Sequence, residues 1–142
     1  RAAVDLEKLG EVSIVIDCDV IQADGGTRTT SITGGMIVLY DVIQKLIQSG
    51  RLSQNPIRNF VSAVSLGIVD GRVVLDLDYV EDSSADVDLN LVMTDDGRFI
   101  EIQGTAEKEA FSSDQLTSFL TLGKEGISTI IEKSKDLLAV TA

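Results

Sequence analysis

Two Asp-Gly dipeptides constrain the fold of this 142-residue chain more than any other feature. Asp70-Gly71 and Asp96-Gly97 each separate two runs in which apolar residues tend to alternate with polar ones. Asp-Gly in that setting is typical of a tight β-hairpin, because glycine adopts the positive φ that the favoured turns require. The strand-like runs are residues 60–69, 72–80, 86–94 and 98–105. We therefore predict a mainly antiparallel four-stranded meander.

Helical patterns lie on both sides of these runs. Residues 32–49 and 116–131 carry apolar side chains at steps of three and four, which is the pattern of one apolar helix face. Gly34 and Gly35 fall inside the first helix, where each glycine costs about 1 kcal/mol relative to alanine. Their presence predicts close packing at that point of the helix.

The remaining elements complete an α+β pattern. Residues 12–22 are β-branched and partly alternating, and predict a further strand in which Cys18 is a buried thiol. Ser112 and Gln115 have the spacing of a capping box at the start of the last helix. The order strand, helix, four strands, helix predicts a single α+β domain over residues 1–142, with helices packed on the sheet.

The chain is acidic, with 12 Lys and Arg against 23 Asp and Glu and a net charge of −11. Taken alone, this charge argues against a polyanionic partner, because proteins bind nucleic acids largely by neutralising phosphates. Residues 70–109 hold 12 acidic residues and three basic ones, a pattern typical of a solvated face but also of a locally acidic metal site. No apolar run reaches the roughly 18–20 residues that span a bilayer.

The segment ADGGTRTTS, residues 23–31, could bind an anion. Its glycines permit close approach of the backbone, and the helix that follows begins with unpaired N–H groups. Arg28 adds a planar, permanently charged donor suited to phosphate, and the hydroxyl residues add further donors. The GK[ST] ending of a Walker A loop is absent. An ordinary strand-to-helix turn with a threonine cap and a surface arginine explains the same residues.

Carboxylates concentrate in residues 78–90. Alternation along the strand and a short loop allow Asp82 and Asp88 to converge on one hard cation, and Mg²⁺ prefers carboxylates and water. Taken alone, the pattern favours a solvated acidic turn over a metal site. The chain has no histidine, so the commonest general base is missing. What remains is chemistry by positioning and electrostatics, which is what phosphoryl transfer requires.

Three segments closely resemble the C-terminal part of ribonuclease PH. They are DCDVIQADGGTRTTSITGG (17–35), DLDYVEDSSADVDLNLVMT (76–94) and GRFIEIQGTAE (97–107). The resemblance covers essentially the whole chain and implies a fold related to the second domain of ribosomal protein S5. The family has a further N-terminal portion that this chain lacks, so we expect a fragment, truncated at its N-terminus, that binds RNA poorly and turns over slowly or not at all.

The resemblance also implies an activity. Ribonuclease PH is a cytoplasmic, hexameric tRNA nucleotidyltransferase that trims the 3′ end of precursor tRNA and other RNAs, using inorganic phosphate and releasing nucleoside diphosphates. Carried over by motif, Gly26, Thr27 and Arg28 bind the attacking phosphate. Asp82 and Asp88 match paired aspartates that position Mg²⁺ or assist proton transfer. Neither DNA nor a membrane is an expected partner.

Two other functions are open to such a sequence. A non-catalytic RNA-binding ring subunit of the exosome type is expected to have lost the arginine or one aspartate, whereas Arg28, Asp82 and Asp88 are all present. An acidic cation-binding module without RNA chemistry predicts tight metal binding and indifference to Arg28→Ala. The resemblance does not assign roles to Asp78 and Asp86.

Overall fold

The fold is that of a computed structural model, which describes residues 1–141. Within that range no helix combines the length and the apolar character needed to cross a membrane. The elements are α1 (Leu6–Leu9), α2 (Thr27–Gln48), β1 (Val61–Val69), β2 (Arg72–Leu75), α3 (Tyr79–Ser84), β3 (Val87–Thr94), β4 (Phe99–Ala106) and α4 (Ser113–Thr141).

The four strands form one antiparallel sheet in the order β2-β1-β3-β4. Both predicted hairpins are confirmed, with Asp70, Gly71 and Gly97 at positive φ in the turns. The α+β class is confirmed as well, but the strand order is not that of a meander. The chain leaves the sheet after β2 and passes through α3, so that β3 returns to pair with β1 rather than with β2.

The predicted strand over residues 72–80 is wrong beyond Leu75. Asp76 adopts a φ of 60°, which ends the extended backbone, and α3 begins three residues later. A capping box starts this helix. The Asp78 carboxylate accepts the N–H of Glu81 at 2.8 Å, and the Glu81 carboxylate accepts the N–H of Asp78 at 3.2 Å. Asp82 therefore lies in a helix and not in a loop.

The predicted strand over residues 12–22 is also wrong. Its β-branched residues favour extended backbone, but none of the strands among the described residues pairs with it. The segment runs beside α2 with Val15 88% and Ile21 98% exposed. Cys18 is exposed, contrary to the prediction of a buried thiol, and its sulfur lies 3.8 Å from the carbonyl oxygen of Ser31.

Helices α2 and α4 cover opposite faces of β1. Neighbouring side chains of a strand point to opposite faces of the sheet. Ser65 lies beneath Gly26 of the α2 N-cap, whereas Leu66 lies against Gly123 of α4. β1 is consequently buried from Val61 to Ile68. The largest fully buried side chains include Ile43, Leu66, Leu89, Leu91, Phe119 and Ile127.

The C-terminal end of α2 and the N-terminal end of α4 lie where the sequence predicts them. Gly50 follows α2 at a φ of 72°. At the start of α4, Ser112 donates its N–H to the Gln115 side chain at 2.7 Å, and the Gln115 N–H is donated to the Ser112 hydroxyl at 3.2 Å. The sequence predicts close packing at Gly34 and Gly35, and at Gly34 the prediction is wrong, because no atom outside the helix's own backbone lies within 4 Å of the position a Cβ would occupy. At Gly35 the Ile16 side chain lies 3.6 Å from that position, which is an ordinary contact.

Candidate phosphate-binding and acidic site

The five residues singled out from the sequence line one cleft of about 200 Å³. The start of α2 forms one wall, α3 another, and the sheet forms the floor. The lining residues are Asp24, Gly26, Thr27, Arg28, Ser65, Asp82, Asp88 and Asn90. Residues more than 60 positions apart in the sequence therefore meet where α2 begins.

Asp24 joins the two walls of the cleft. Its carboxylate accepts the N–H of Gly25 at 2.9 Å and the N–H of Tyr79 at 2.6 Å, and its carbonyl oxygen accepts the Thr27 hydroxyl at 2.9 Å. A Cβ at Gly25 would lie 2.0 Å from the carbonyl oxygen of Leu77, so only glycine permits this approach. Asp24 escaped the sequence reasoning, although an aspartate directly before a glycine pair is a common turn signal.

The first turn of α2 leaves backbone N–H groups facing outward. Gly26 is the N-cap, with a φ of 69° and no side-chain capping hydrogen bond, so the threonine cap of the alternative explanation, an ordinary strand-to-helix turn, is absent. Thr30 donates its N–H to Gly26, and the N–H groups of residues 27–29 are those that a helix leaves without an intrahelical acceptor. The Thr29 hydroxyl donates to the Gly26 carbonyl. The donors available to an anion are therefore the backbone N–H groups at the positive end of the helix dipole.

Arg28 extends from this turn across the sheet to β4. Its guanidinium donates to both carboxylate oxygens of Glu101, at 2.7 and 2.9 Å, and to the Gln103 side chain at 3.4 Å. The hydrogen bond raises the pKa of Arg28 and lowers the pKa of Glu101. The Arg28 side chain is half-exposed, so its remaining N–H groups stay accessible. Sequence reasoning missed Glu101, because the contact depends on the position of β4.

Asp82 and Asp88 lie close enough to interact. Burial of Asp88, the charge of Asp82 and the charge of Glu107 raise the pKa of the Asp88 carboxyl. In residues 1–141 no group of three or more Cys, Asp or Glu side chains is arranged to hold a metal ion. Two carboxylates nevertheless suit Mg²⁺, which usually keeps several waters and binds through one or two carboxylates plus substrate phosphates.

Asp78 and Asp86, the other two aspartates of this segment, lie outside the cleft. Asp78 is the N-cap of α3, and Asp86 accepts a hydrogen bond from the Lys108 ammonium at 2.6 Å. The roles that the sequence left unassigned are therefore a helix cap and a surface ion pair.

A polar row crosses the sheet beneath the start of α2. The strand register places Ser65 of β1 opposite Asn90 of β3, and Asn90 opposite Gln103 of β4. Ser65 is 2% exposed, and its hydroxyl has no hydrogen-bond partner in the part of the chain that the structure describes. Every other buried side-chain oxygen or nitrogen in that part has one.

Comparison with known proteins is consistent with the sequence resemblance. Residues 59–126 match the family model described as the 3′ exoribonuclease family, domain 2. The crystal structure of rice (Oryza sativa) Rrp46 matches with a TM-score of 0.65 at 19% identity, over 84% of this chain and 51% of the rice chain. This chain thus spans about half the length of the rice protein, and at that identity the match shows the fold. The family match over residues 59–126 runs from β1 into α4, and it agrees with the resemblance to the C-terminal part of ribonuclease PH.

Proposed function

We propose that this chain carries the phosphate site and the acidic site of a phosphorolytic 3′→5′ exoribonuclease that trims precursor tRNA. The observation that supports this most is that the start of α2 and the Asp82–Asp88 pair line one cleft. An oxyanion binds well at a helix N-terminus, where unpaired N–H groups and the helix dipole favour negative charge. Carboxylates beside it suit a divalent cation that neutralises the scissile phosphodiester.

The proposed reaction transfers the terminal nucleotide to inorganic phosphate. A phosphate oxygen attacks the phosphorus of the last linkage, the 3′ oxygen of the preceding nucleotide leaves and takes up a proton, and a nucleoside diphosphate is released. The N–H groups of residues 27–29 and the guanidinium of Arg28 hold and orient the attacking phosphate. In-line displacement depends mainly on such positioning.

Asp82 and Asp88 are the residues that would hold Mg²⁺ in this proposal. The bound ion would supply positive charge to the phosphoryl oxygens, as metals do in phosphoryl transfer. Support comes from the crowding of negative charge, because the pKa of Asp88 is raised by burial, by Asp82 and by Glu107. A divalent cation relieves that repulsion. Further copies of the chain in a ring and precursor tRNA complete the proposed set of partners.

The test is a 3′-extended tRNA incubated with Mg²⁺, with and without inorganic phosphate, and with the chain in excess so that slow reaction is visible. We expect phosphate-dependent release of nucleoside diphosphates that Arg28→Ala abolishes. Arg58→Ala is the matched control, because Arg58 is also a half-exposed, ion-paired arginine but pairs with Asp5 away from the cleft. Nucleoside monophosphates or full activity of Arg28→Ala would contradict the proposal. Absence of product would contradict it if the chain joined to the family's N-terminal portion were inactive as well.

A further inference from the structure

The hydroxyl of Ser65 differs from the other buried polar side-chain groups in its hydrogen bonding. It is buried and without a hydrogen-bond partner in residues 1–141. Burying a hydroxyl without a partner destabilises a fold, and native structures hold few such groups. Burial of a serine in β1 does not by itself leave it unpaired. Ser62 on the same strand is fully buried, and its hydroxyl lies 2.9 Å from that of Thr33.

The Ser65 hydroxyl lies directly beside the proposed phosphate site. Ser65 lines the cleft beneath the N-cap of α2. A Cβ at Gly26 would lie 2.9 Å from the Ser65 oxygen, so only glycine lets the N-cap sit this close to the hydroxyl without a clash. The residue across the strand pair is Asn90, which also lines the cleft. An unpaired donor therefore sits at the floor of the cleft, directly below the turn that carries the free N–H groups.

We infer that Ser65 is a further ligand-binding residue, whose hydroxyl donates a hydrogen bond to the oxyanion bound at the start of α2. The inference deepens the proposed function and rests on its phosphate site. It gives the anion donors from two directions, the backbone N–H groups of α2 above and the Ser65 hydroxyl below. It also gives Gly26 a second role, because a Cβ there would clash with the hydroxyl that donates to the anion.

A ligand-binding hydroxyl and a merely structural one predict opposite results for Ser65→Ala. Loss of a hydrogen bond to a charged ligand weakens binding, and we expect the affinity for inorganic phosphate, measured by calorimetry on the full chain, to fall roughly tenfold. The melting temperature without phosphate should stay unchanged or rise, since the substitution removes an unpaired buried hydroxyl. A structural hydroxyl would instead lower the melting temperature and leave phosphate affinity unchanged.

Two variants complete the experiment. Ser62→Ala, which loses the contact with Thr33, should melt at a lower temperature and bind phosphate as the unmodified chain does. Arg28→Ala separates the inference from the proposed function. Weaker binding by Arg28→Ala together with unchanged binding by Ser65→Ala overturns the inference and leaves the function standing. No phosphate binding by the unmodified chain overturns both.

Discussion

Replacement of Glu101 by glutamine should strengthen phosphate binding. Arg28 is the side-chain cation of the proposed phosphate site, yet Glu101 holds its guanidinium through two hydrogen bonds of 2.7 and 2.9 Å. A phosphate that engages the same guanidinium must loosen this pair or share it. Neutralising Glu101 weakens the competing contact and removes a negative charge that repels the anion.

The size of the effect follows from the exposure of the pair. The side chains of Arg28 and Glu101 are 51% and 36% exposed, so solvent screens the interaction strongly. Exposed ion pairs contribute about 0.2–1 kcal/mol, and bidentate geometry favours the upper end. If phosphate displaces Glu101, removing about 1 kcal/mol of competition raises the affinity about fivefold. The free energy of unfolding should fall by no more than about the same amount.

Isothermal titration calorimetry with inorganic phosphate at low ionic strength measures this effect. Asp41→Asn is the matched control, because Asp41 forms an exposed ion pair with Lys45 further along α2 and its replacement removes the same charge. We expect the difference between the two variants to shrink as salt is added. Weaker phosphate binding by Glu101→Gln would refute the competition and show that Glu101 positions Arg28. Equal affinities would refute the competition and show that phosphate does not displace Glu101 from Arg28.

Two further predictions concern stability. Gly25→Ala should lower the free energy of unfolding by roughly 1–3 kcal/mol, because the Cβ would lie 2.0 Å from the carbonyl oxygen of Leu77. Gly34→Ala is the control, because no atom outside the helix backbone lies near its Cβ, and it should raise the free energy of unfolding, measured in urea, by up to about 1 kcal/mol. Asp95→Asn should destabilise the fold at neutral pH. Burial raises the pKa of the Asp95 carboxyl, but its hydrogen bonds, above all the one from Lys135, outweigh burial, and the pKa is lowered. A lowered pKa contributes stability that is lost on acidification, so the free energies of unfolding of the two proteins should converge as the pH falls below about 4. A difference in free energy that stays constant there would show that the Asp95 charge does not stabilise the fold.

Local signals allowed much of the fold to be predicted. The Asp-Gly turns, the helix ending at Gly50 and the capping box at Ser112 each depend on a few neighbouring residues. The run after Leu75 shows where two local signals conflict. Alternating apolar residues up to Tyr79 predict a strand, whereas Asp78 and Glu81 carry a capping box, and the helix forms.

Pairing between distant segments could not be predicted from local signals. Residues 12–22 have strand composition, but a strand needs a neighbour with which to exchange hydrogen bonds. The same limit applied to the cleft. Arg28, Asp82 and Asp88 were identified by residue type, whereas Ser65 and Glu101 enter only through the register of β1, β3 and β4. A one-residue shift in that register would turn both away from α2.

An amide NMR titration with inorganic phosphate tests the central claim most directly. Phosphate bound at the start of α2 should shift the amide resonances of Gly26, Thr27 and Arg28 with one common dissociation constant. In Arg28→Ala the shifts of the first two should need a much higher phosphate concentration. Saturable shifts elsewhere, with these amides unmoved, would contradict the claim that this helix start is the phosphate site.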